Sequence, residues 1–364
     1  MTAAVPPGRY SAYLQHAAFP AEAAYQRQTL LRIERLCRRA VAAMAIDLGG
    51  MTVLTEAATG PFAATAVIAA LAGAQEVRAV TRDSRYGRAD DAIAQVRVLA
   101  EQCGVADRIA FSAAPPDQAA EGCDVVTNLG FVRPIGRSIL SRLSSVATVS
   151  LMWEPWEFRP GEIDCAAVDE HGVALIATNE HHPEVRTFEY LGPTVARMLL
   201  DAGIEIVNAR LVVCGSDPFG AALERWLSAA GAHVSRGVAE ATGSEPVDAV
   251  VLAEHRRPDA CLGGDAAVLR ALAHAGAPVV RLCGAVDADA LAAAGVALYP
   301  PTQVGPGVMT LTTAYAGPRP VIDLHAAGLK AAGDVVAARR GGAPVAAAVS
   351  HAVAQGYGLA VDRS

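Results

Sequence analysis

Residues 211–238 read LVVCGSDPFGAALERWLSAAGAHVSRGV. A short apolar run, Leu211 to Val213, meets a turn that holds Gly215, Asp217, Pro218, Phe219 and Gly220. An Ala- and Leu-rich helical stretch follows, and AGAHV leads into a second strand. Residues 52–80, TVLTEAATGPFAATAVIAALAGAQEVRAV, repeat that order with Gly60, Pro61 and Phe62 in the turn. A strand, turn, helix and strand of this length set the two strands parallel in one sheet, because the helix is the crossover that carries the chain back. The pattern occurs twice, not many times, which marks two Rossmann-like units and excludes a solenoid.

Outward from these segments the alternation continues. Strands are predicted at Thr52–Leu54, Glu76–Val80, Ile109–Phe111, Asp124–Thr127, Ala147–Met152 and Ala174–Ala177 in the first half. In the second half they fall at Arg210–Val213, His233–Val238, Ala249–Leu252, Val279–Leu282 and Ala297–Tyr299. Ahead of them, Leu30, Ile33, Cys37, Val41 and Met44 recur at three- and four-residue steps with arginines between, the pattern of an amphipathic helix. Two more helical stretches, Asp323–Arg340 and Val345–Gln355, follow a Gly/Pro-rich loop. The fold class is therefore α/β, with two doubly wound parallel-sheet domains separated by a cleft. Residues 1–46 form an N-terminal helical segment, 47–185 a first domain with the substrate and catalytic groups, and 186–320 a nucleotide-binding-like domain. Residues 321–364 are expected to pack back across both domains.

The chain has 364 residues, 52% apolar but only 5% aromatic, a balance that suits helices packed on sheets better than an aromatic-rich sandwich. Its net charge is −7 and Lys330 is the only lysine, which argues against a general polyanion binder. Seven widely spaced cysteines without a CxxC pair point to a reducing compartment and exclude a zinc ribbon or a disulfide scaffold. No apolar run reaches membrane-spanning length and the N-terminus lacks a basic-then-apolar leader, so a cytoplasmic protein is expected.

Three consecutive stretches, residues 122–153, 162–203 and 210–234, are similar in order and spacing to the domain crossover of the D-2-hydroxyacid dehydrogenase superfamily. They read GCDVVTNLGFVRPIGRSILSRLSSVATVSLMW, EIDCAAVDEHGVALIATNEHHPEVRTFEYLGPTVARMLLDAG and RLVVCGSDPFGAALERWLSAAGAHV. The resemblance spans roughly residues 47–330 and implies two parallel-sheet domains, with a nicotinamide dinucleotide, NAD or NADP, held by the second. Gly215 and Gly220 match the outer glycines of its GxGxxG fingerprint, while Asp217 stands where the middle glycine lets backbone approach the pyrophosphate. Cys283, in RLCG, stands where the family places its catalytic arginine, and Gln303, in PPTQVG, where it places its catalytic histidine.

Ligands of open parallel sheets bind beyond the carboxyl ends of the strands, where helix N-termini point and loops diverge. There TNEHHP supplies Asn179, Glu180, His181 and His182: a group that titrates near neutrality and a carboxylate to orient it. Adjacent histidines point apart, so one of the two serves a given site. The same loop reads equally as a polar cap on the following helix. A metal site from Glu180, one histidine and Glu154 or Glu157 lacks the helical spacing of HExxH, and no metal is expected. WEPWEFR brings Glu154 and Trp156, suited to a pocket wall or to a hinge anchor. TRDSRYGR offers Arg82, Ser84 and Arg85 to a 2′-phosphate, or forms a solvated basic loop.

The leading expectation is an NAD(P)-dependent oxidoreductase acting on a small polar or anionic metabolite. His181 or His182 is its acid/base, Glu180 orients it, Glu154 is a further catalytic candidate, and Asn128, Arg133, Trp156 and Asn179 hold substrate. Gly215, Ser216, Asp217, Phe219 and Gly220 line the cofactor loop. The alternatives are a non-redox lyase, hydrolase or transferase with a degenerate nucleotide site, and a ligand-binding regulator. No nucleic-acid or membrane partner is expected, and a homodimer is left open.

Overall fold

The computed structural model describes residues 23–362 apart from 85–86, 160, 244, 258–260, 303 and 306–307. In chain order the first elements are α1 (Ala23–Ala43), β1 (Thr52–Glu56), α2 (Ala64–Leu71), β2 (Glu76–Val80), α3 (Ala89–Cys103) and β3 (Ile109–Ser112). Then come β4 (Val125–Thr127), α4 (Arg137–Leu140), β5 (Thr148–Leu151), α5 (Cys165–Glu170) and β6 (Ala174–Thr178). The next series holds α6 (Leu191–Asp201), β7 (Arg210–Cys214), α7 (Phe219–Ala229), β8 (His233–Arg236), β9 (Ala249–Ala253) and β10 (Cys261–Leu262). It continues through α8 (Ala266–Ala275), β11 (Val279–Cys283), β12 (Ala285–Val286), α9 (Ala288–Ala293) and β13 (Leu298–Tyr299). The chain closes with α10 (Arg319–Arg340), α11 (Val345–Ala354) and β14 (Gly358–Ala360).

Two compact units result: residues 1–185 with 317–364, and residues 186–316. The first is built on a seven-stranded sheet ordered β14-β6-β5-β4-β1-β2-β3. Six strands are parallel, and β14 joins β6 antiparallel, Gly358 opposite Thr178. Strand order reverses between β1 and β4, which opens a crevice at their carboxyl ends. Strands flanked by helices on both faces bury both sides, so β5 and β6 read as unbroken apolar or small runs, TVSL and ALIAT, buried at every position.

The C-terminal helices belong to this first unit. Within it α10 packs on α1, α2, β5 and β6. Gly328 permits the approach, since a Cβ there would lie 2.6 Å from Met152 Sδ, and the Gly328 carbonyl accepts from Ser150 Oγ at 2.8 Å. On the other side, α1 buries the predicted Ile33, Cys37 and Met44 together with Leu36 and Ala40, while Leu30 and Val41 of the predicted stripe are partly buried.

The second unit carries a five-stranded parallel sheet ordered β13-β11-β9-β7-β8, reversing between β7 and β9, with a small β10–β12 pair beside it. Two of its helices, α8 and α9, start on aspartate caps: Asp265 accepts from Ala267 N and Val268 N, and Asp287 from Ala290 N. Among the described residues no helix is long and apolar enough to cross a membrane.

Candidate functional site

In the first unit the carboxyl ends of β1, β2, β4, β5 and β6 bring together Glu56, Thr81, Arg82, Asn128, Glu154 and the Asn179–His182 loop. Glu56 is 6% exposed and its Oε2 accepts from Phe131 N at 3.1 Å. Burial pushes this carboxyl up to about 7, against the opposing pull of the Phe131 and Gly130 amides and of Arg133 and Arg82. Arg82 reaches the loop that follows β4. Its guanidinium closes on the carbonyls of Phe131 and Gly130 and lies 5.4 Å from the Phe131 ring centre. Ser84 pairs its backbone with Gly87, and Arg85 lies outside the described residues.

Asn128 is fully buried. Its Oδ1 accepts from Met152 N at 2.9 Å, while among the described residues its Nδ2 has no partner, and neither has the Oγ1 of buried Thr81. Arg133 pairs with Glu162 and stacks over Trp153 at 4.9 Å, with Nε unpartnered among the described residues.

The TNEHHP loop divides its labour. Asn179, expected to hold substrate, is spent on the chain itself: Nδ2 donates to Gly356 O, Oδ1 accepts from His181 N, and its own amide bonds Tyr357 O. His182 stacks on Tyr357 at 3.9 Å and takes the Glu184 amide on Nδ1, and burial lowers its pKa. His181 is the exposed one, with Nε2 3.9 Å from Glu154 Oε1. Glu154 is itself fixed by Trp156 Nε1 at 2.9 Å and by the Glu180 amide at 3.3 Å. Glu180 is buried and hydrogen-bonds the Glu157 side chain, a contact between two carboxyls that needs a shared proton. Burial first, and then the charges of Glu157 and Glu154, raise Glu180 well above the carboxylate range, while Glu157 is pushed up to about 7. Among the described residues no three His, Cys, Asp or Glu side chains are placed to hold a metal ion.

In the second unit the glycine turn sits at the carboxyl end of β7, beside the strand-order reversal. A Cβ on Gly215 would lie 2.5 Å from Ala253 O, and one on Gly220 would lie 2.4 Å from Gly215 O and 2.1 Å from Arg236 Nη2. Both glycines are thus required by close packing. The Asp217 carboxylate fills the seat they frame. Its Oδ1 accepts from Ala221 N, in the first turn of α7, at 3.0 Å and meets Arg236 Nη1 at 2.9 Å. Arg236 also donates to Gly215 O at 2.7 Å. Ser216 Oγ donates to Glu254 Oε2 at 2.9 Å, and Glu254 receives two backbone amides and the Arg257 guanidinium. Burial alone would raise this carboxyl, yet those bonds outweigh it and hold Glu254 at about 2. Phe219 is buried and stacks on His255 at 4.2 Å.

Arg281, two residues before Cys283, is 1% exposed, donates to Thr302 O and, among the described residues, leaves Nε unpartnered. Cys283 is fully buried, and Gln303 lies outside the described residues. Sequence reasoning missed Arg236 and Arg281. For Arg236 the signal was present, because it is the last residue of the strand that follows the glycine turn, where a Rossmann unit reads the adenosine ribose.

No protein-family model matches the sequence, and no curated protein matches it. Solved structures do resemble it. A dipicolinate synthase subunit from Bacillus halodurans is 12% identical with a TM-score of 0.51, covering 77% of this chain and 96% of that one. The dipicolinate synthase from Bacillus subtilis is 12% identical, TM-score 0.49, over 81% and 99%. A 2-hydroxyacid dehydrogenase from Ketogulonicigenium vulgare Y25 is 13% identical, TM-score 0.45, over 86% and 100%. At such sequence distance the first likeness speaks for architecture, and together with the two sheet topologies it gives this chain the two-domain Rossmann-like fold found in the dipicolinate synthase of Bacillus halodurans.

Proposed function

We propose that the chain is a nicotinamide-dinucleotide-dependent oxidoreductase of a small polar or anionic metabolite. The observation that carries this reading is the seat of the second unit, where a carboxylate already rests on the first-turn amide of Ala221 and on Arg236, between two glycines with no room for a Cβ. A seat that holds the chain's own anion has the donors a phosphate needs, and Asp217 is the stand-in. Gly215, Gly220, the Ala221 amide and Arg236 would hold the phosphates once Asp217 swings out. The cofactor, when bound, takes or gives a hydride.

Within the first unit the groups suited to proton transfer are His181 and Glu154, which is fixed by Trp156 and the Glu180 amide and orients the imidazole. Asn128 Nδ2 donates to a substrate oxygen, which relieves its unpartnered state. Titration with NADH and NADPH, read as quenching of Trp153, Trp156 or Trp226, tests the reading. Saturable binding is expected, strengthened about tenfold in Asp217→Gly, since the carboxylate no longer competes for a charge-assisted bond. If neither protein binds either dinucleotide, the oxidoreductase reading fails.

A second reading, a non-redox lyase, hydrolase or transferase, is favoured by the same Asp217 carboxylate if it stays in place and by the proton-sharing Glu157–Glu180 pair. Such an enzyme ignores both dinucleotides and loses turnover in Glu180→Gln.

A further inference from the structure

We infer that the Glu157 and Glu180 carboxyls form a proton-operated latch, which holds the turn of Glu154 and Trp156 against the 179–182 loop and releases it when their shared proton is lost. It rests on the reading above only for what the latch serves, the proton transfer of His181 and Glu154. The latch itself is tested without a dinucleotide, so either can fail alone. The two loops leave neighbouring parallel strands, β5 and β6, and at their start Thr178 N still reaches Trp153 O at 3.0 Å. Beyond that bond the chain turns through Pro155–Glu157 on one side and through residues 179–182 on the other. Two contacts join them there: Glu180 N donates to Glu154 Oε1 at 3.3 Å, and the Glu180 carboxyl bonds that of Glu157. The second contact depends on a proton, because two carboxylates have no donor between them.

The surroundings leave the proton without a substitute. Glu180 is 5% exposed and Glu157 half-buried, and among the described residues neither forms an ion pair with a basic side chain. Glu154 faces the pair with further negative charge, and so does Glu162 at Glu157. Arg159 offsets part of this at Glu157 but lies 3.9 Å from Glu162, which Arg133 also holds. From the second loop His181 stands 3.9 Å from Glu154. Once both members of the pair are charged they repel at hydrogen-bonding range, where water screens little. Burial, ahead of neighbouring charge, accordingly pushes Glu157 up to about 7 and Glu180 well above the carboxylate range. Below about 7 the pair keeps its proton and the loops stay joined; as pH rises through about 7 the proton passes to solvent and the loops part. Trp156, bonded through Nε1 to Glu154 Oε2 at 2.9 Å, moves with the turn, and Glu154 leaves His181.

Acrylamide quenching of the full chain from pH 5 to pH 9, with Trp153→Phe and Trp226→Phe so that Trp156 alone emits, reads the latch. Quenching should rise by up to about twofold with a midpoint near 7, since the residue is 36% exposed while latched. Glu157→Gln and Glu180→Gln each set a neutral amide donor against the remaining carboxylate, so both should stay latched, with a flat profile, up to pH 9. Imidazoles titrate in the same range, and His181→Asn should leave the rise unchanged. Circular dichroism across the range checks that each variant is folded, and either glutamine variant suffices should the other unfold. A flat profile in the chain that keeps both carboxyls overturns the latch. So does a rise that survives in a folded glutamine variant, a turn open at every pH in such a variant, or loss of the rise in His181→Asn. None of these outcomes bears on dinucleotide binding.

Discussion

Glu56→Gln isolates the effect of a carboxyl buried at the head of the first sheet. In the folded chain Glu56 titrates at about 7 instead of 4.5, because burial disfavours its charge more than the Phe131 and Gly130 amides and the arginines Arg133 and Arg82 favour it. That shift disfavours the ionised, folded form by about 3 kcal/mol, at 1.36 kcal/mol per pH unit. Below pH 4.5 both folded and unfolded chains keep the proton, and the group leaves stability unchanged. As pH rises from there toward 7 the unfolded chain ionises and the folded one does not, so stability falls, and above about 7 the full amount is lost. Glutamine keeps an oxygen for the Phe131 amide but cannot ionise; turning its NH2 toward the Gly130 amide costs about 1 kcal/mol at every pH. Relative to wild type the variant should therefore be about 1 kcal/mol less stable near pH 4 and about 2 kcal/mol more stable near pH 8. Urea unfolding in a Trp226→Phe background, where Trp153 and Trp156 report the first unit alone, reads the difference. A stability gap that stays constant between the two pH values refutes the reasoning, since it would mean that Glu56 is solvated in the folded chain.

Two further outcomes follow from partners seen or missing. Arg281→Met should leave the second unit within about 1 kcal/mol of its original stability or raise it by up to about 4 kcal/mol, because among the described residues the buried guanidinium has no acidic partner; a loss above about 3 kcal/mol in thermal unfolding would show that an anion compensates it. His181→Asn should lower kcat on the order of a hundredfold at unchanged Tm, whereas His182→Asn should lower Tm through the lost Tyr357 stack and spare kcat; the reverse pattern assigns the proton transfer to His182.

Most strands were legible to within two residues, because the central ones, such as β5 and β6, are buried runs, and parallel sheets covered on both faces demand such runs. Glu76–Val80 falls on its predicted bounds, and β1 runs two residues past its predicted end, through Thr55 and Glu56, where polar side chains are buried on a strand. The tail was the main misreading. GLA at 358–360 is too short and too small to announce a strand, and only the open edge of β6 makes it one. Of the site, local chemistry showed and pairing did not. TNEHHP was conspicuous as a polar cluster after an apolar strand, but which histidine faces a carboxylate depends on Tyr357, far along the chain. Asp217 read as a charge opposed to phosphate; its bonds to Ala221 N and Arg236, which no local spacing announces, tie it to the start of α7 and the end of β8.

Because β14 and α10 come from the chain's last stretch while β1 to β6 come from its first, the first unit is discontinuous and the second is an insertion within it. During synthesis residues 186–316 emerge whole and can close their own sheet while the first unit still lacks the helix whose Ile322, Ala326 and Val336 pack against its core. At ordinary elongation rates that interval lasts on the order of ten seconds. Over that time the apolar face awaiting α10 is open to water and to other nascent chains, so the inserted unit sets a waiting period for its host, and release from the ribosome shortly before residue 340 would strand the host incomplete beside a finished guest.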